Sequence, residues 1–300
     1  MTACQRWNPG AMPSWRRTSE GGFDPCRYGV DLVSESAARG FVTSRHYSRS
    51  YPSAVHRYGL FDLATQSLVG VTVLSVPPSR AVLTKAFPGL EPYVESVELG
   101  RFVLDDEVPA NGESWFFAEV RRLAATAGVR GIVSFSDPVP RETAAGVTVM
   151  PGHIGVIYQA SNGAYTGRSG GRTLTLLPDG TVFSERAKQK VRAQETGHVY
   201  AEQLLIKAGA TPPRTGQRPA AWLSEALAEV GRSFRHPGNH RYVFTIGETR
   251  RQRASVVVAL PSLPYPKPRV VSANCQPRHI TSIRTSIDCY VRGQGRENRC

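Results

Sequence analysis

A glycine-rich segment at 152–167, GHIGVIYQASNGAYTG, follows an apolar stretch that ends in Asp137. If this segment is a helix, Tyr158, Asn162 and Tyr165 lie on one side of it. Glycine lets a backbone approach its neighbours closely, and ligands often bind beyond the carboxyl ends of central parallel strands. We therefore expect Asp137 and the glycine-rich segment with Tyr158 to lie at an edge where a ligand can bind. The alternative is a capping aspartate and core tyrosines with ordinary hydrogen-bond partners.

A second candidate pair, Glu98 and Arg101, lies within the apolar stretch VELGRFVL. Because they are three residues apart, an unbroken strand would place them on opposite faces. Gly100 favours a β-bulge, which would re-aim one of the two and leave backbone N–H groups free to hold a carbonyl oxygen. We expect this pair to orient a substrate, and surface salt bridges are the alternative.

Two further groups lie at predicted helix ends. Asn111 and Ser114 begin the helix of NGESWFF, where free N–H groups and a partial positive charge suit a phosphate, although either residue also suits a helix cap. His46 and Tyr47 follow the first helix, in SRHYSRSYP. A histidine there can titrate, bind a metal or act as a base, or it can be structural. His153 is a second candidate histidine.

Positive charge is concentrated in the second part of the chain. Residues 1–185 contain 17 basic and 17 acidic residues, whereas residues 186–300 contain 20 basic and 7 acidic residues and so account for the whole net charge of +13. This asymmetry favours a polyanionic partner, most simply a nucleic acid, over an ordinary solvated surface. The candidate DNA-binding residues are Arg186, Lys188, Lys190 and Arg192, which stand at alternate positions, and Arg250, Arg251 and Arg253.

The elements that must position these groups are predicted from alternation, periodicity and turn residues. Strands are predicted at 28–33, 54–62, 68–76, 95–104, 130–136 and 241–247, and a hairpin at 171–185 with its turn at Asp179-Gly180. Helices are predicted at 34–48, 111–128, 197–209 and 219–233, with Gly128 as the residue after a helix end.

These elements predict an α+β class, with a mixed and largely antiparallel sheet flanked by helices. Its centre is a parallel pair, 95–104 and 130–136, joined by a helix. A loose arm is expected at 1–25, a basic helical segment at 186–235 and a basic, proline-containing tail at 251–300.

The chain lacks an apolar run long enough for a membrane span and an apolar signal region, so we expect a cytoplasmic protein. The five cysteines form no C-x-x-C pair, which disfavours a disulfide framework or a cysteine-rich zinc site.

Taken together, four segments resemble the phage Mom family of DNA-modification proteins, a branch of the GNAT acyltransferase superfamily. They are RHYS, ELGRFVL followed by NGESWFF, VSFSDP, and GHIGVIYQASNGAYTG, and they occur in the expected order within roughly residues 28–250. The resemblance implies a GNAT-like fold, in which the strand pair 95–104 and 130–136 splays apart to open a cleft for an acyl donor.

Mom-type proteins add an acetamido-type group to the exocyclic N6 amino group of adenine in DNA and so protect phage DNA from restriction in the bacterial host cell. Carried over by motif, the resemblance implies one set of catalytic residues: His46, Glu98, Arg101, Asp137 and Tyr158. It also implies contacts to the acyl donor from Phe102, Val103, Asn111 and Ser114. Iron has been connected with this family, and its ligands here would be His46, Tyr47 and Asp137.

One departure concerns the donor. Ordinary GNAT enzymes carry a glycine-rich pyrophosphate loop before the central helix, whereas this chain has DDEVPANGES there. Acidic residues repel pyrophosphate, so the sequence does not decide whether acetyl-CoA is the donor. The alternatives are a GNAT enzyme that acylates a small amine or a protein, and a non-catalytic DNA-binding protein on a GNAT scaffold. A dimer stays open.

Overall fold

Apolar, β-branched segments build the sheets of the molecule, and the computed structural model describes residues 6–7, 13–14 and 21–267. The strands are β1 (Arg6–Trp7), β2 (Pro13–Ser14), β3 (Tyr28–Leu32), β4 (Ala54–Asp62), β5 (Ser67–Ser75), β6 (Ser96–Leu104), β7 (Gly131–Ser136), β8 (Arg141–Glu142), β9 (Thr148–Met150), β10 (Ala164–Arg168), β11 (Arg172–Leu176), β12 (Val182–Phe183), β13 (Arg232–His236) and β14 (His240–Thr245).

Helices flank the sheets and connect the strands. They are α1 (Glu35–Arg45), α2 (Ala81–Ala86), α3 (Gly112–Thr126), α4 (Val156–Ala160), α5 (Glu185–Ala193), α6 (His198–Lys207), α7 (Pro219–Val230) and α8 (Arg250–Ala254). In the described part of the chain, no helix combines the length and the apolar character that crossing a membrane requires.

The main sheet has seven strands in the order β10-β14-β7-β6-β5-β4-β3. Every neighbouring pair is antiparallel except β6 and β7, which run parallel with α3 between them in the chain. This is the mixed, largely antiparallel sheet flanked by helices that the sequence predicts, and it has the GNAT-like arrangement that the resemblance implies.

The parallel pair separates at its carboxyl end. Residues pair from Ser96 with Gly131 to Leu99 with Ser134, and there the pairing stops although both strands continue. Past Ser134, β7 keeps β14 as its neighbour, while β6 keeps β5. The splay therefore opens a gap in the middle of a sheet whose other neighbours stay paired.

The predicted bulge lies at the same point. Val73 of β5 pairs with Arg101, but the next residue, Leu74, pairs with Leu99, so Gly100 is the extra residue. A Cβ atom on Gly100 would lie 2.1 Å from the Ser75 Oγ, which explains the glycine. The extra residue reverses the alternation, so Glu98 and Arg101 share one face of β6.

Residues 172–236 form an insertion between β10 and β14, two adjacent strands of the main sheet. The insertion contains the three-stranded sheet β12-β11-β13 and the helices α5, α6 and α7. Its own apolar core includes Phe183, Leu205, Trp222 and Leu223. The predicted hairpin is confirmed, and Asp179 accepts the Thr181 N–H in its turn at 2.9 Å.

Two local expectations are wrong. The segment 152–167 is helical only in α4, because Gly152 and Gly155 have positive φ angles before it and Asn162 has one after it. Tyr165 consequently lies in β10, opposite Tyr242. The predicted second helix of 219–233 ends at Val230, and β13 follows.

Parts of the predicted arm and tail have defined structure. β1 pairs with β2, and the Arg6 guanidinium is buried against Glu113. After α8, the chain returns along the main sheet, where Ala259 donates to Ala86 and Leu263 donates to Tyr165. The rest of the predicted tail, residues 268–300, lies outside the described residues.

Candidate active site

The candidate catalytic groups come together where β6 and β7 diverge. The charge of Arg101 acts on the pKa of His46, Tyr47, Glu98 and Tyr158, which places its guanidinium near all four side chains. These five residues come from β6, α4 and the loop that follows α1. The sequence motifs are therefore distant along the chain but adjacent in the fold.

Asp137 joins this cluster through Tyr47. The charge of Asp137 raises the pKa of the Tyr47 hydroxyl, and Tyr47 in turn raises that of Tyr158, although burial is the larger cause at both tyrosines. His153 also belongs to the cluster, since its charge acts on His46 and the charge of Asp137 acts on it. Tyr47 thus lies between Asp137 and Tyr158 in this chain of electrostatic interactions.

Arg101 fixes the position of the loop that carries the histidine and the first tyrosine. Its Nε donates to the Ser50 carbonyl oxygen at 2.8 Å, and its Nη2 donates to the Ser50 Oγ at 2.7 Å. These bonds attach residues 46–50 to the edge of β6, beside Glu98. Arg101 therefore holds the cluster together as well as supplying positive charge to it.

Glu98 is the titratable group best suited to proton transfer. Burial raises the pKa of its carboxyl to about 7, although Arg101 works in the opposite direction. No hydrogen bond or ion pair engages the Glu98 carboxyl within residues 21–267. A carboxylate that is half ionised near neutral pH and without a protein partner is a suitable general base.

His46 is held as a neutral imidazole. Its Nδ1 accepts the Ser48 backbone N–H at 3.1 Å and lies 2.8 Å from the Ser48 Oγ, so the ring proton is on Nε2. Burial, together with Arg101 and His153, lowers the pKa of His46 to about 3. The ring also packs against Tyr47, with centroids 4.2 Å apart, and both side chains remain partly accessible. Neutral aromatic groups therefore line one wall.

Tyr158 is the second tyrosine of the cluster. It is buried against Tyr242 and Phe244, with ring centroids 5.4 Å and 6.4 Å away. Burial, Tyr47 and Glu98 raise the pKa of its hydroxyl well above the ordinary tyrosine value. Tyr158 consequently stays protonated at neutral pH and can donate a hydrogen bond.

Asp137 has a different environment from Glu98. Its Oδ1 accepts the Val139 N–H at 3.0 Å and the His236 Nε2–H at 2.8 Å, and its Oδ2 pairs with Arg141. The His236 Nδ1 accepts the Gly238 N–H at 3.0 Å, which places the proton on Nε2. Burial opposes the carboxylate, but Arg141 and His236 outweigh it and hold the pKa below the ordinary value. Asp137 is thus a paired anion that anchors the end of β7.

The three residues that the resemblance assigns to iron do not fit that ion. Both carboxylate oxygens of Asp137 are engaged, and the guanidinium of Arg141 already balances its charge. Arg101 acts on both His46 and Tyr47, and a positive charge there repels a metal cation. Within the described ranges, no three His, Cys, Asp or Glu side chains form a group that could hold a metal ion.

The predicted donor-contact residues divide between core and surface. Phe102 packs on Phe116 and Phe117 in the core beneath α3, and Val103 packs on the opposite face of the sheet. The Ser114 Oγ donates to the Asn111 carbonyl oxygen at 3.0 Å, which is a local helix-end contact.

The start of α3 is covered by the first strand. Arg6 donates from Nε to Glu113 and from Nη1 to the Asp105 carbonyl oxygen, each at 2.7 Å, and both charged side chains of the ion pair are largely buried. The second acidic side chain of this region, Asp105, pairs with Arg45. At the start of α3, an anionic donor would thus meet carboxylates, and the nearby arginines are already paired with those carboxylates.

The predicted DNA-binding residues lie away from the splay. In α5, Arg186 pairs with Glu195 at 2.6 Å and Lys188 with Glu185 at 2.5 Å. The helix follows β12, which pairs with the end of β11 distant from His236. The arginines of α8 follow the end of β14 that pairs with Gly131, at the opposite edge of the main sheet from Asp137.

Two glycines bring the segment before α4 against the end of β7. Gly152 has φ +68°, and a Cβ there would lie 2.8 Å from the Pro138 carbonyl oxygen and 2.8 Å from the Pro140 nitrogen. Gly155 has φ +76°, and a Cβ there would lie 2.8 Å from the Tyr242 ring. This close approach places His153 beside Asp137, whose carbonyl oxygen accepts the His153 N–H at 2.7 Å.

We expect Gly152→Ala to lower the free energy of unfolding by about 2 kcal/mol, because it adds backbone overlap to the strain of a positive φ. Gly146→Ala is a matched control, since Gly146 has φ +80° and open space around its Cβ position. Chemical denaturation of both variants measures the difference. Equal losses would mean that the close approach at Gly152 contributes nothing.

Comparison with known proteins yields one family and several distant structures. The model of the Mom protein family matches residues 27–267. No curated protein matches the chain. A tandem GNAT protein from the clavulanic acid biosynthesis pathway, solved without AcCoA, is 10% identical with a TM-score of 0.37, over 74% of this chain and 99% of that chain. The ribosomal-protein-S5-alanine acetyltransferase from Vibrio fischeri is 13% identical with a TM-score of 0.32, over 53% of this chain and 89% of that chain.

Proposed function

The chain belongs to the Mom protein family, and from that premise we propose that it modifies the exocyclic N6 amino group of adenine in DNA. Family membership and fold support an acyl-transfer role. The observation that carries the finer proposal is the pairing, at the splay of β6 and β7, of a free carboxyl with a pKa of about 7 and neutral aromatic walls. Such a site suits a flat, uncharged base whose amino group must lose a proton.

In the proposed reaction, a flipped adenine enters the gap where β6 and β7 stop pairing, beside Tyr47 and Tyr158. Extrusion from the duplex is required because the amino group is otherwise paired. The N6 nitrogen forms a bond to the carbon of the transferred group, while the bond from that carbon to the donor's leaving group breaks. One N6 proton passes to the Glu98 carboxylate, and the leaving group departs with the bonding electron pair.

The remaining cluster residues position and stabilise. Tyr158 is protonated and donates a hydrogen bond to the charge that develops on the donor. The bulge at Gly100 interrupts regular pairing beside the reacting groups, and its N–H groups are suited to hold a carbonyl oxygen of the donor. Arg101 keeps the loop of His46 and Tyr47 in place. Asp137 contributes by fixing the end of β7 rather than by accepting the proton.

An acyl donor is the cofactor that this proposal requires, and acetyl-CoA is one candidate. Asp105 and Glu113 lie at the start of α3, where ordinary GNAT enzymes bind pyrophosphate. We infer that the donor binds mainly in the gap between β6 and β7 and makes fewer contacts with the start of α3. Protection of phage DNA from restriction in the bacterial cytoplasm is the biological role that follows from the proposal.

Mass spectrometry of nucleosides tests the proposed function. DNA from bacteria expressing the full chain is digested and compared with DNA from cells carrying the empty vector. The proposal requires a new deoxyadenosine species in the expressing cells, and its added mass identifies the transferred group. Unaltered deoxyadenosine in cells that contain the folded protein would contradict the proposal and favour an acyltransferase for small amines.

A further inference from the structure

Arginines are concentrated without acidic neighbours in two chain segments that bracket the insertion. Residues 163–178 and 230–247 contain neither aspartate nor glutamate. They contain five arginines, which are Arg168, Arg172, Arg232, Arg235 and Arg241. In the fold these segments pair with each other, as β10 with β14 and as β11 with β13. The pairing brings arginines that are distant along the chain onto neighbouring strands.

Three of these arginines lie near the candidate active site, Arg168 in β10 of the main sheet and Arg172 and Arg235 in the inserted sheet. Arg168 pairs with His240, whose pKa is lowered to about 4 by burial and by the charges of Arg168 and His153. Arg172 pairs with His236, the residue that donates to Asp137. Arg235 directly precedes His236 in β13. Each is thus within one residue, along or across a strand, of a histidine next to the splay.

These three side chains, which we name the arginine rim (Arg168, Arg172 and Arg235), are exposed. No ion pair within residues 21–267 engages any of them. The other two arginines differ: Arg241 donates to Thr166 from two nitrogens, and Arg232 pairs with Leu176 at the opposite end of the ribbon. The rim therefore presents free positive charge where the inserted sheet leaves the main sheet.

The location of the rim separates it from the basic residues of α8. The arginines of α8 follow the far end of β14. The six residues of β7 lie between that end and Asp137, which corresponds to roughly 17–20 Å along the sheet. A duplex whose base is extruded into the splay would place its nearest phosphates at the rim and not at α8.

We propose that the arginine rim binds the phosphates that flank the extruded base, with double-stranded DNA as its partner. This inference rests on the proposed function, because it places the duplex beside the splay. A two-stranded ribbon such as β11–β13 is also narrow enough to enter the major groove. Arginine suits the task because its planar group binds phosphate in a bidentate manner and keeps its charge.

The test measures the affinity of the purified full chain for a short synthetic duplex at several salt concentrations. The variant is Arg168→Gln/Arg172→Gln/Arg235→Gln, and the matched control is Arg250→Gln/Arg251→Gln/Arg253→Gln, which removes the same charge at the far edge. Each phosphate contact contributes about 0.9 to the slope of log K against log salt, so the rim variant should lose a slope of about 2–3. The α8 control should keep the slope of the native chain.

Two outcomes overturn the inference. One is an unchanged slope in the rim variant, which would mean that these arginines only keep an edge strand soluble. The other is an equal loss in the α8 control, which would indicate diffuse attraction. Thermal melting confirms that both variants are folded. Nucleoside mass spectrometry distinguishes failure of this inference from failure of the proposed function. If adenine is modified but the rim variant keeps the native salt slope, only the DNA-binding role of the rim is refuted. If adenine is unmodified but the rim variant loses salt slope, only the proposed adenine modification is refuted.

Discussion

Glu98→Gln should abolish DNA modification and stabilise the protein at the same time. The amide cannot accept the N6 proton, and loss of a general base costs about 100- to 10,000-fold in rate. Modified deoxyadenosine should therefore fall to background in cells that express this variant. The isosteric change leaves the shape of the splay intact, so the loss reports on chemistry rather than folding.

The stability gain follows from the pKa of Glu98. Its folded-state value of about 7 is raised from 4.5, so the protonated form is favoured in the fold. The stability linked to this group is complete below about pH 4.5 and is lost as pH rises through about 7. Glutamine avoids that loss. Because Glu98 is partly exposed to solvent, the gain is smaller than the full pKa shift would give. The free energy of unfolding of the variant should rise by about 1–2 kcal/mol at about pH 8 and change little at about pH 5.

Thermal melting at both pH values measures the gain, and Glu119→Gln is the matched control. Glu119 lies on α3 and pairs with Arg122 at the surface. Removing its charge should change neither modification nor the pH dependence of stability. A Glu98→Gln protein that still modifies DNA, or that loses stability at high pH, would contradict the assignment of Glu98.

Asp137→Ala should cause the largest loss of stability among these variants. It leaves the fully buried His236 Nε2–H without an acceptor and Arg141 without its counter-charge. Breaking a buried pair by removing one partner costs about 3–5 kcal/mol. Modification should fall as well, because the end of β7 would no longer be held.

Chemical denaturation measures this loss, with Asp31→Ala as the control. Asp31 is exposed, and among the described residues its carboxylate accepts only the N–H of the next residue. His236→Gln should lose less stability than Asp137→Ala, because the glutamine side-chain N–H group can still donate to Asp137. If Asp137→Ala unfolds as the native chain does but lacks activity, Asp137 participates in the chemistry directly and the anchoring role is wrong.

Local sequence rules were sufficient for the strands that build the splay. Alternation and β-branched residues located β6 and β7 to within one residue at each end. Gly100 also predicted the bulge, because an extra residue in a strand needs a position without a Cβ where the neighbouring strand is close. The placement of Glu98 and Arg101 on one face follows from that single glycine.

The same rules could not find His236 or the true course of 152–167. His236 meets Asp137 across 99 residues of chain, and its hydrogen bond leaves no trace in local spacing. The predicted helix at 152–167 failed because its glycines adopt positive φ angles where the segment crosses the end of β7. In both cases a contact between residues that are distant along the chain determined the structure, and local sequence patterns do not contain that contact.

The pH dependence of DNA modification tests the central claim most directly. A clarified cell extract supplies the donor, and the initial rate of adenine modification by the full chain is measured on added duplex at a series of pH values. With Glu98 as the base, the rate should rise about tenfold per pH unit below about 7 and level off above it. His46 contributes no inflection in that range, since its pKa is about 3. A rate that is flat from about pH 5 to about pH 8 would contradict proton transfer to Glu98.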